Sequence, residues 1–400
     1  MKRPNNSRIA EQESSAMSIF IPEEIIFDIL TRLPAKSLSR FRCVSKSWNN
    51  LIKNPRFVKL QINHSLKYGE PGIIYTYTRE RKICCVDYDS SSSRLSNSVA
   101  QFDCPSELKM GRIIDSCNGL VCYLSSLREI VICNPYIKDY RKLPSPSEPD
   151  VTNPRYEYDN YTYCKYGFGY DSKTDDYKFA CMSKYPGMST EIIVYSLIFD
   201  SWKIWQDIPY ELADDDLVLF EGIFYWVEDR SEYAETDEDI GKVISSLDSG
   251  VDSFTRYALP QHFKKCIGRI YVCVLGGCLH IIGNHHRGSF SEVWVMKDFG
   301  WTKLFTIDKT SSGLRCFACL NLKHSFKNGE ILVQANSAFS YLYDLKRKRF
   351  EKLVFNDCEV FNSCAFLGTF VSPNNLGTSL GNAAGHNKRQ KVSHVKKMKD

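Results

Sequence analysis

Two hydrophobic rhythms divide the chain. Between Glu23 and Leu33, the residues Ile25, Ile26, Ile29, Leu30 and Leu33 recur every three or four positions, the spacing that lays one apolar stripe along a helix. Pro22 followed by Glu23 and Glu24 marks its start, because proline fits a first turn and carboxylates favour the positive end of the helix dipole. The pattern predicts a helix to about Arg32, stopped at Pro34. A second is expected to carry Leu38, Phe41 and Val44, and a third, capped by Ser45, to carry Trp48, Leu51 and Ile52 and to end at Pro55. After Ile62 the pattern becomes one of short runs rich in Ile, Val, Tyr and Phe, such as GLVCYL, EIIVYSL, GIFYWV and EILVQA, separated by Gly, Asn, Asp and Ser. Those are strand signals, and the large region reads as all-β.

The strands recur in order. Runs closing on an apolar pair, often Leu-Pro or Ile-Pro, end near Leu143, Ile208, Leu259, Leu304 and Leu353, about 45 to 65 residues apart. That period suits a propeller built from one four-stranded blade per repeat better than a sandwich, whose anchors are less regular. The closing aromatics Tyr140, Trp205, Tyr257, Trp301 and Phe350 are expected to pack between neighbouring blades. The fold class is thus multidomain, a small all-α helical module followed by an all-β propeller. The expected divisions are 1–17 unstructured, 18–62 helical, 63–372 propeller and 373–400 an unstructured basic tail.

Three short helices bury only part of their apolar surface among themselves. The rest meets either the large domain, as a cap, or a second molecule.

Composition changes this picture little. A chain of 400 residues with 43% hydrophobic and 25% charged residues is long enough for one small and one large unit. The net charge of +5 sits mostly in the last stretch, where Lys388, Arg389, Lys391, Lys396, Lys397 and Lys399 face Asp400 alone. Without that tail the body is about neutral, so no nucleic-acid partner is expected; the tail reads as a solvated end or a nuclear-import signal. Sixteen cysteines could imply disulfides, but the amino terminus lacks a signal peptide's apolar run, so reduced thiols and a cytoplasmic and/or nuclear location are expected. No run approaches the roughly 18 apolar residues of a membrane span, and no membrane partner is expected.

Candidate chemistry is sparse. Cys316 and Cys319 form a C-x-x-C in a stretch that reads as a strand, where residues three apart point to opposite faces. Gly167 and Gly169 lack the third glycine and the helix of a dinucleotide fingerprint and read as turn or bulge residues. His285 and His286 fall in a polar hairpin tip, and Asp214, Asp215 and Asp216 in a solvated turn. No enzyme activity, cofactor or metal is expected.

The stretch IPEEIIFDILTRLPAKSLSRFRCVSKSWNNLIKNPRFVKL resembles the F-box. The landmarks are Ile21-Pro22, Ile29-Leu30, Leu33-Pro34, Leu38, Arg42-Cys43-Val44, and Ser45 with Trp48. Ile21 departs mildly from the commoner Leu. The resemblance implies docking on a Skp-type adaptor and, through it, on the cullin and RING subunits of a ubiquitin ligase. Pro22, Ile25, Ile29, Leu30, Leu33, Pro34, Leu38, Val44 and Trp48 are then the candidate adaptor-binding anchors. The large region resembles the kelch-like F-box-associated domain of plant F-box proteins, through DSCNGLVCY, NPYIKDYRKLP, YGFGYDSKTDDYKFA, GIFYWV and VWVMKDFGWTKLFTI.

Together these resemblances imply a non-catalytic substrate receptor of an SCF-type ligase that binds an unknown protein target for ubiquitination and degradation. Alternatives are an interaction protein outside a ligase, a propeller enzyme or lectin, and a receptor for secreted ribonucleases of the self-incompatibility kind. Candidate target contacts are Tyr156, Tyr158, Tyr161 and Tyr163, since tyrosines offer broad amphipathic contact at low entropy cost, and the acidic stretch from Glu228 to Asp239. The tyrosines also alternate as a strand would.

Overall fold

The computed structural model describes residues 21–77, 82–103, 111–125, 129–145, 163–184, 190–208, 216–229, 241–260, 263, 267–285, 289–298, 300–310, 314, 318–355, 358–376 and 390–392. Four helices come first: α1 Glu23–Thr31, α2 Ala35–Phe41, α3 Lys46–Lys53 and α4 Pro55–Tyr68. Ser45 caps α3 as expected, its hydroxyl accepting from the Trp48 N–H at 3.1 Å. α3 ends just before Pro55, as expected, but the helical module continues. Pro55 occupies the first turn of α4, where its missing N–H costs nothing, and Asn54 caps that helix by accepting from the Arg56 N–H at 2.9 Å. The helical module therefore runs past the expected boundary at residue 62, and strands begin at Gly72. None of the described helices is long and apolar enough to cross a membrane.

Apart from a two-stranded hairpin, Val354–Phe355 with Cys358–Glu359, and the short strand Gln390–Val392, the remaining described strands form six four-stranded antiparallel blades around an axis. Blades 2 to 6 are sequential meanders at 112–142, 163–208, 218–258, 267–308 and 320–352, each starting at the axis and ending at the rim. Blade 1 is assembled from both ends of the domain. Its outer three strands occupy 72–103, and its inner strand, Phe361–Phe366, comes from far downstream, pairing antiparallel with Gly72–Tyr77 so that Ile74 faces Cys364. Closing the ring in this way leaves no open junction between first and last blades.

Both faces of each blade are apolar because each packs on a neighbour. In Ile223–Asp229 of blade 4, Phe224 and Trp226 meet Met182, Val194 and Trp205 of blade 3. The alternate residues Tyr225 and Val227 meet Val272, Leu279 and Ile281 of blade 5. The two-residue period of a strand thus supplies two cores at once. Of the closing aromatics, Trp205 is buried in the core between blades 3 and 4, and Trp301 of blade 5 donates its indole N–H to the Ala258 carbonyl of blade 4 at 3.0 Å. Tyr140 lies exposed on the outer strand of its blade instead.

Gly167 and Gly169 are neither turn nor bulge. They lie within the unbroken inner strand Tyr163–Asp171, where the chain entering blade 4 passes close. A Cβ on Gly167 would stand 2.8 Å from the Leu217 carbonyl oxygen, and one on Gly169 3.0 Å from Leu219 Cβ. The described cysteines are free thiols, several of them buried; burial pushes Cys117 up to about 12 and removes it from thiolate chemistry at neutral pH. In the basic tail, expected to be unstructured, Gln390–Val392 pairs in parallel with the outer strand of blade 3.

Candidate functional site

One helix carries two faces with opposite fates. Ile26 and Leu30 are one helical turn apart and point inward; Leu30 is buried with Leu38 of α2, Ile52 of α3 and Phe57 of α4. Ile25 and Ile29 are also one turn apart, but rotated by about 100° from that row, and both are 51% exposed. Pro22, Pro34 and Val44 are exposed as well, whereas Leu33 and Trp48 are half-buried, Trp48 edge-on to Phe41. The nine candidate anchors therefore do not form a single surface. Leu30 and Leu38 hold the helices together, and Pro22, Ile25, Ile29, Pro34 and Val44 remain outside.

The inner side of the module is completed by the propeller. Phe370, just beyond the inner strand of blade 1, enters the same core as Leu30 and Phe57, with Tyr136 and Ile137 from a turn of blade 2 against it. Asn134, fully buried, fixes this joint. Its side-chain amide donates to the carbonyls of Thr369 at 3.0 Å and Val371 at 2.8 Å, and its oxygen accepts from the Tyr136 N–H at 3.0 Å.

The Asn118-Gly119 turn closes the joint from below. Both residues have positive φ, 49° and 83°, as a two-residue hairpin turn requires. Thr369 Oγ1 donates to the Asn118 carbonyl at 2.6 Å, and a Cβ on Gly119 would lie 2.1 Å from that hydroxyl oxygen.

Among the described residues two ion pairs bridge the units, Lys36 to Asp87 at 2.8 Å and Lys59 to Asp175 at 2.5 Å, but all four groups are at least half exposed. Such pairs contribute about 0 to 1 kcal/mol each, so the apolar joint holds the module in place. Sequence reasoning missed Phe370, Tyr136 and Ile137. Only Asn134 before Pro135 carried a local signal, that of a turn.

The helices sit on the face formed by the first-to-second and third-to-fourth strand turns, at Asn118, Ile137, Asp175 and Phe199 of blades 2 and 3. By the alternation of antiparallel strands, Lys142, Tyr163, Asp229 and Lys242 lie at the opposite face. Tyr156, Tyr158 and Tyr161 lie outside the described residues; Tyr163 opens the inner strand of blade 3. The acidic stretch is not all loop. Glu228 is buried in blade 4, accepting from Arg256 at 3.1 Å and from Ser245 Oγ at 2.6 Å, while residues 230–240 lie outside the described residues.

Asp216 is not part of a solvated turn either. It takes both terminal nitrogens of Arg112 in blade 2, at 2.8 and 2.9 Å, and the Tyr166 N–H at 3.2 Å. Burial works against its charge, but these donors and the nearby Lys323 hold its carboxyl below the usual range. Cys316 lies outside the described residues; Cys319 precedes the inner strand of blade 6 rather than lying within it. Among the described residues no three His, Cys, Asp or Glu side chains gather as a metal-binding group.

Comparison with known proteins matches this division of the chain. Residues 20–60 fit the F-box domain family, and residues 72–364 fit the F-box associated beta propeller domain. F-box protein CPR1 of Arabidopsis thaliana is 27% identical over 95% of this chain and 97% of its own length. An F-box/kelch-repeat protein of the same plant is 28% identical over 89% of this chain and 96% of its own. Among solved structures, a mutant of AofleA from Arthrobotrys oligospora aligns over 76% of this chain and 91% of that one, with 11% identity and a TM-score of 0.41, too loose a likeness to bear on function. With a helical F-box at its front and the matching propeller over most of its length, the chain belongs to the family of F-box proteins with an F-box-associated β-propeller domain.

Proposed function

We propose that this protein is the substrate-recognition subunit of an SCF-type ubiquitin ligase, itself non-catalytic, acting in the cytoplasm, the nucleus or both. Pro22, Ile25, Ile29, Pro34 and Val44 dock on the Skp-type adaptor and so reach the cullin and RING subunits. The propeller binds a protein target for ubiquitination and proteasomal degradation. The chain's contribution to the reaction is orientation: a rigid joint between helices and propeller keeps a bound target at a fixed place relative to the rest of the ligase.

The observation that carries this reading is the exposed row Ile25 and Ile29 on a helix whose other row is sealed. Burying one such side chain contributes about 1.5 to 3 kcal/mol, so two of them can supply the centre of an interface. The turns that meet the helices are occupied by the joint, which leaves the opposite face, with its strand ends at Tyr163 and Asp229, for the target.

Co-expression with a plant Skp-type adaptor followed by size-exclusion chromatography tests the proposal. The wild-type chain is expected to co-elute with the adaptor, and Ile25→Asp/Ile29→Asp to elute alone with an unchanged melting curve. A wild-type chain that never co-elutes, or a double variant that still does, would overturn it.

A further inference from the structure

Between α3 and α4 on one side and the turns of blades 2 and 3 on the other lies a cavity of about 780 Å³. That volume falls within the range of about 300 to 1,000 Å³ usual for small-molecule sites, which occur preferentially where two structural units meet. The helical wall is the row Val58, Ile62 and Leu66 of α4, each one turn from the next. Blade 3 supplies Ile198 and Phe199 from the turn before its outer strand. Val58 and Ile62 are half-buried against the core of blades 2 and 3, but Leu66 is 58% exposed and Phe199 72% exposed. Phe199 holds the same turn position as Ile137 in blade 2. There the helices cover the side chain; in blade 3 they leave the aromatic standing at the edge of the cavity.

The end of the cavity near Phe370 is basic. The Arg42 guanidinium lies 5.8 Å from the centre of the Phe370 ring. Lys53 and Lys138, both exposed, follow directly on Ile52 and Ile137, which belong to the same core as Phe370. Among the described residues no ion pair within 4.0 Å reaches any of these three cations. The acids of the lining are already engaged. Asp139 accepts from Asn374 Nδ2 at 2.7 Å and from Ser372 Oγ, and Asp175 accepts from Lys59 Nζ at 2.5 Å and from the Tyr170 hydroxyl. The cavity therefore offers apolar walls toward Leu66 and Phe199 and unpaired positive charge toward Phe370.

An extended peptide would suit such walls poorly. They are a helix face and closed turns, with no strand edge to pair with a peptide's N–H and carbonyl groups. A compact molecule with an apolar body and one negative head has no such groups to satisfy. We propose that this cavity binds a small amphipathic carboxylate, its head among Arg42, Lys53 and Lys138 and its body along Val58, Ile62, Leu66 and Phe199. Because one wall is helical and the other belongs to the propeller, the bound molecule ties the two units together. This site is independent of the ligase reading, since neither the outer row of α1 nor the opposite propeller face takes part in it.

Isothermal titration calorimetry of the full chain tests this with dodecanoate and dodecyltrimethylammonium, both kept below micelle formation, and with acetate. Dodecanoate is expected to bind saturably at one molecule per chain, the cationic analogue at least about tenfold more weakly, and acetate, which lacks the apolar body, not measurably. Lys53→Met/Lys138→Met is expected to weaken dodecanoate by about tenfold, and Phe199→Ser by a similar factor. All three positions are exposed, and melting curves establish that both variants fold. Hydrogen exchange is expected to slow on dodecanoate binding in residues 52–66 and 197–200. Absent or unsaturable binding of dodecanoate, equal binding of the two opposite charges, full binding by the folded lysine variant, or protection confined to other segments overturns the proposal.

Discussion

The side-chain amide of Asn134 donates to the main-chain carbonyl of Thr369 at 3.0 Å, across 235 positions of sequence. With its second bond to the Val371 carbonyl, it holds both sides of Phe370 and so sets where the helical module sits on the propeller. Removing the amide leaves two carbonyls and the Tyr136 N–H short of partners in a buried joint. Asn134→Ala is expected to destabilise the protein by about 1 to 3 kcal/mol, read from denaturant unfolding. Faster hydrogen exchange in residues 23–68 than in the blades would locate the effect; uniform exchange would refute it.

Phe370 is 6% exposed and belongs to the same core as Leu30, Leu38, Ile52 and Phe57. Truncating a buried phenylalanine costs about 3 to 5 kcal/mol, so Phe370→Ala is expected to loosen the helices while leaving the ring intact. Limited proteolysis should then cleave near Gly69 and spare the propeller.

The two rows of α1 make contrasting predictions. Leu30→Ala removes a core side chain and is expected to cost about 2 to 5 kcal/mol with or without adaptor. Ile29→Ala removes an exposed one and is expected to change the free chain's stability by less than about 0.5 kcal/mol while weakening adaptor binding. Equal unfolding midpoints for the two variants would contradict the division of the helix into an inner and an outer face.

Gly167→Ala is expected to separate the inner strands of blades 3 and 4, since its Cβ would stand 2.8 Å from the Leu217 carbonyl oxygen, a backbone atom that cannot rotate away. Overpacking of this kind costs about 1 to 3 kcal/mol. An unchanged melting temperature would show that blade 4 yields at no cost.

Two carboxylates, Asp115 and Asp216, give pH effects of opposite sign. Desolvation pushes Asp115 up to about 6, above its unfolded value, so the folded state binds the proton more tightly and this group's contribution to stability grows as pH falls from about 6 toward 4. Asp115→Asn should abolish that gain and stabilise the protein at neutral pH. Asp216 is held below its unfolded value by Arg112 despite burial, so its contribution is present at neutral pH and is lost as pH falls below about 4. Melting temperatures of wild type, Asp115→Asn and Asp216→Asn between pH 4 and 8 check both signs.

The sequence by itself determined the local elements. Three-and-four spacing marked α1, the hydroxyl of Ser45 marked the start of α3, and alternating apolar runs closed by Leu-Pro or Ile-Pro marked the blades. These signals are legible because helix and strand periods are properties of neighbouring residues.

Only the tertiary structure decided which neighbour covers each face. Ile25, Ile29, Leu30 and Leu38 are alike in residue type, yet two pairs with opposite fates emerge because Phe370 and Tyr136 arrive from distant parts of the chain to seal one side. The same holds for the pairing of Gly72–Tyr77 with Phe361–Phe366, for the glycines that admit a neighbouring strand, and for the meeting of Arg112 of blade 2 with Asp216 at the entry to blade 4. In each case the partner lies many residues away, and a periodicity read over a few turns carries no information about it.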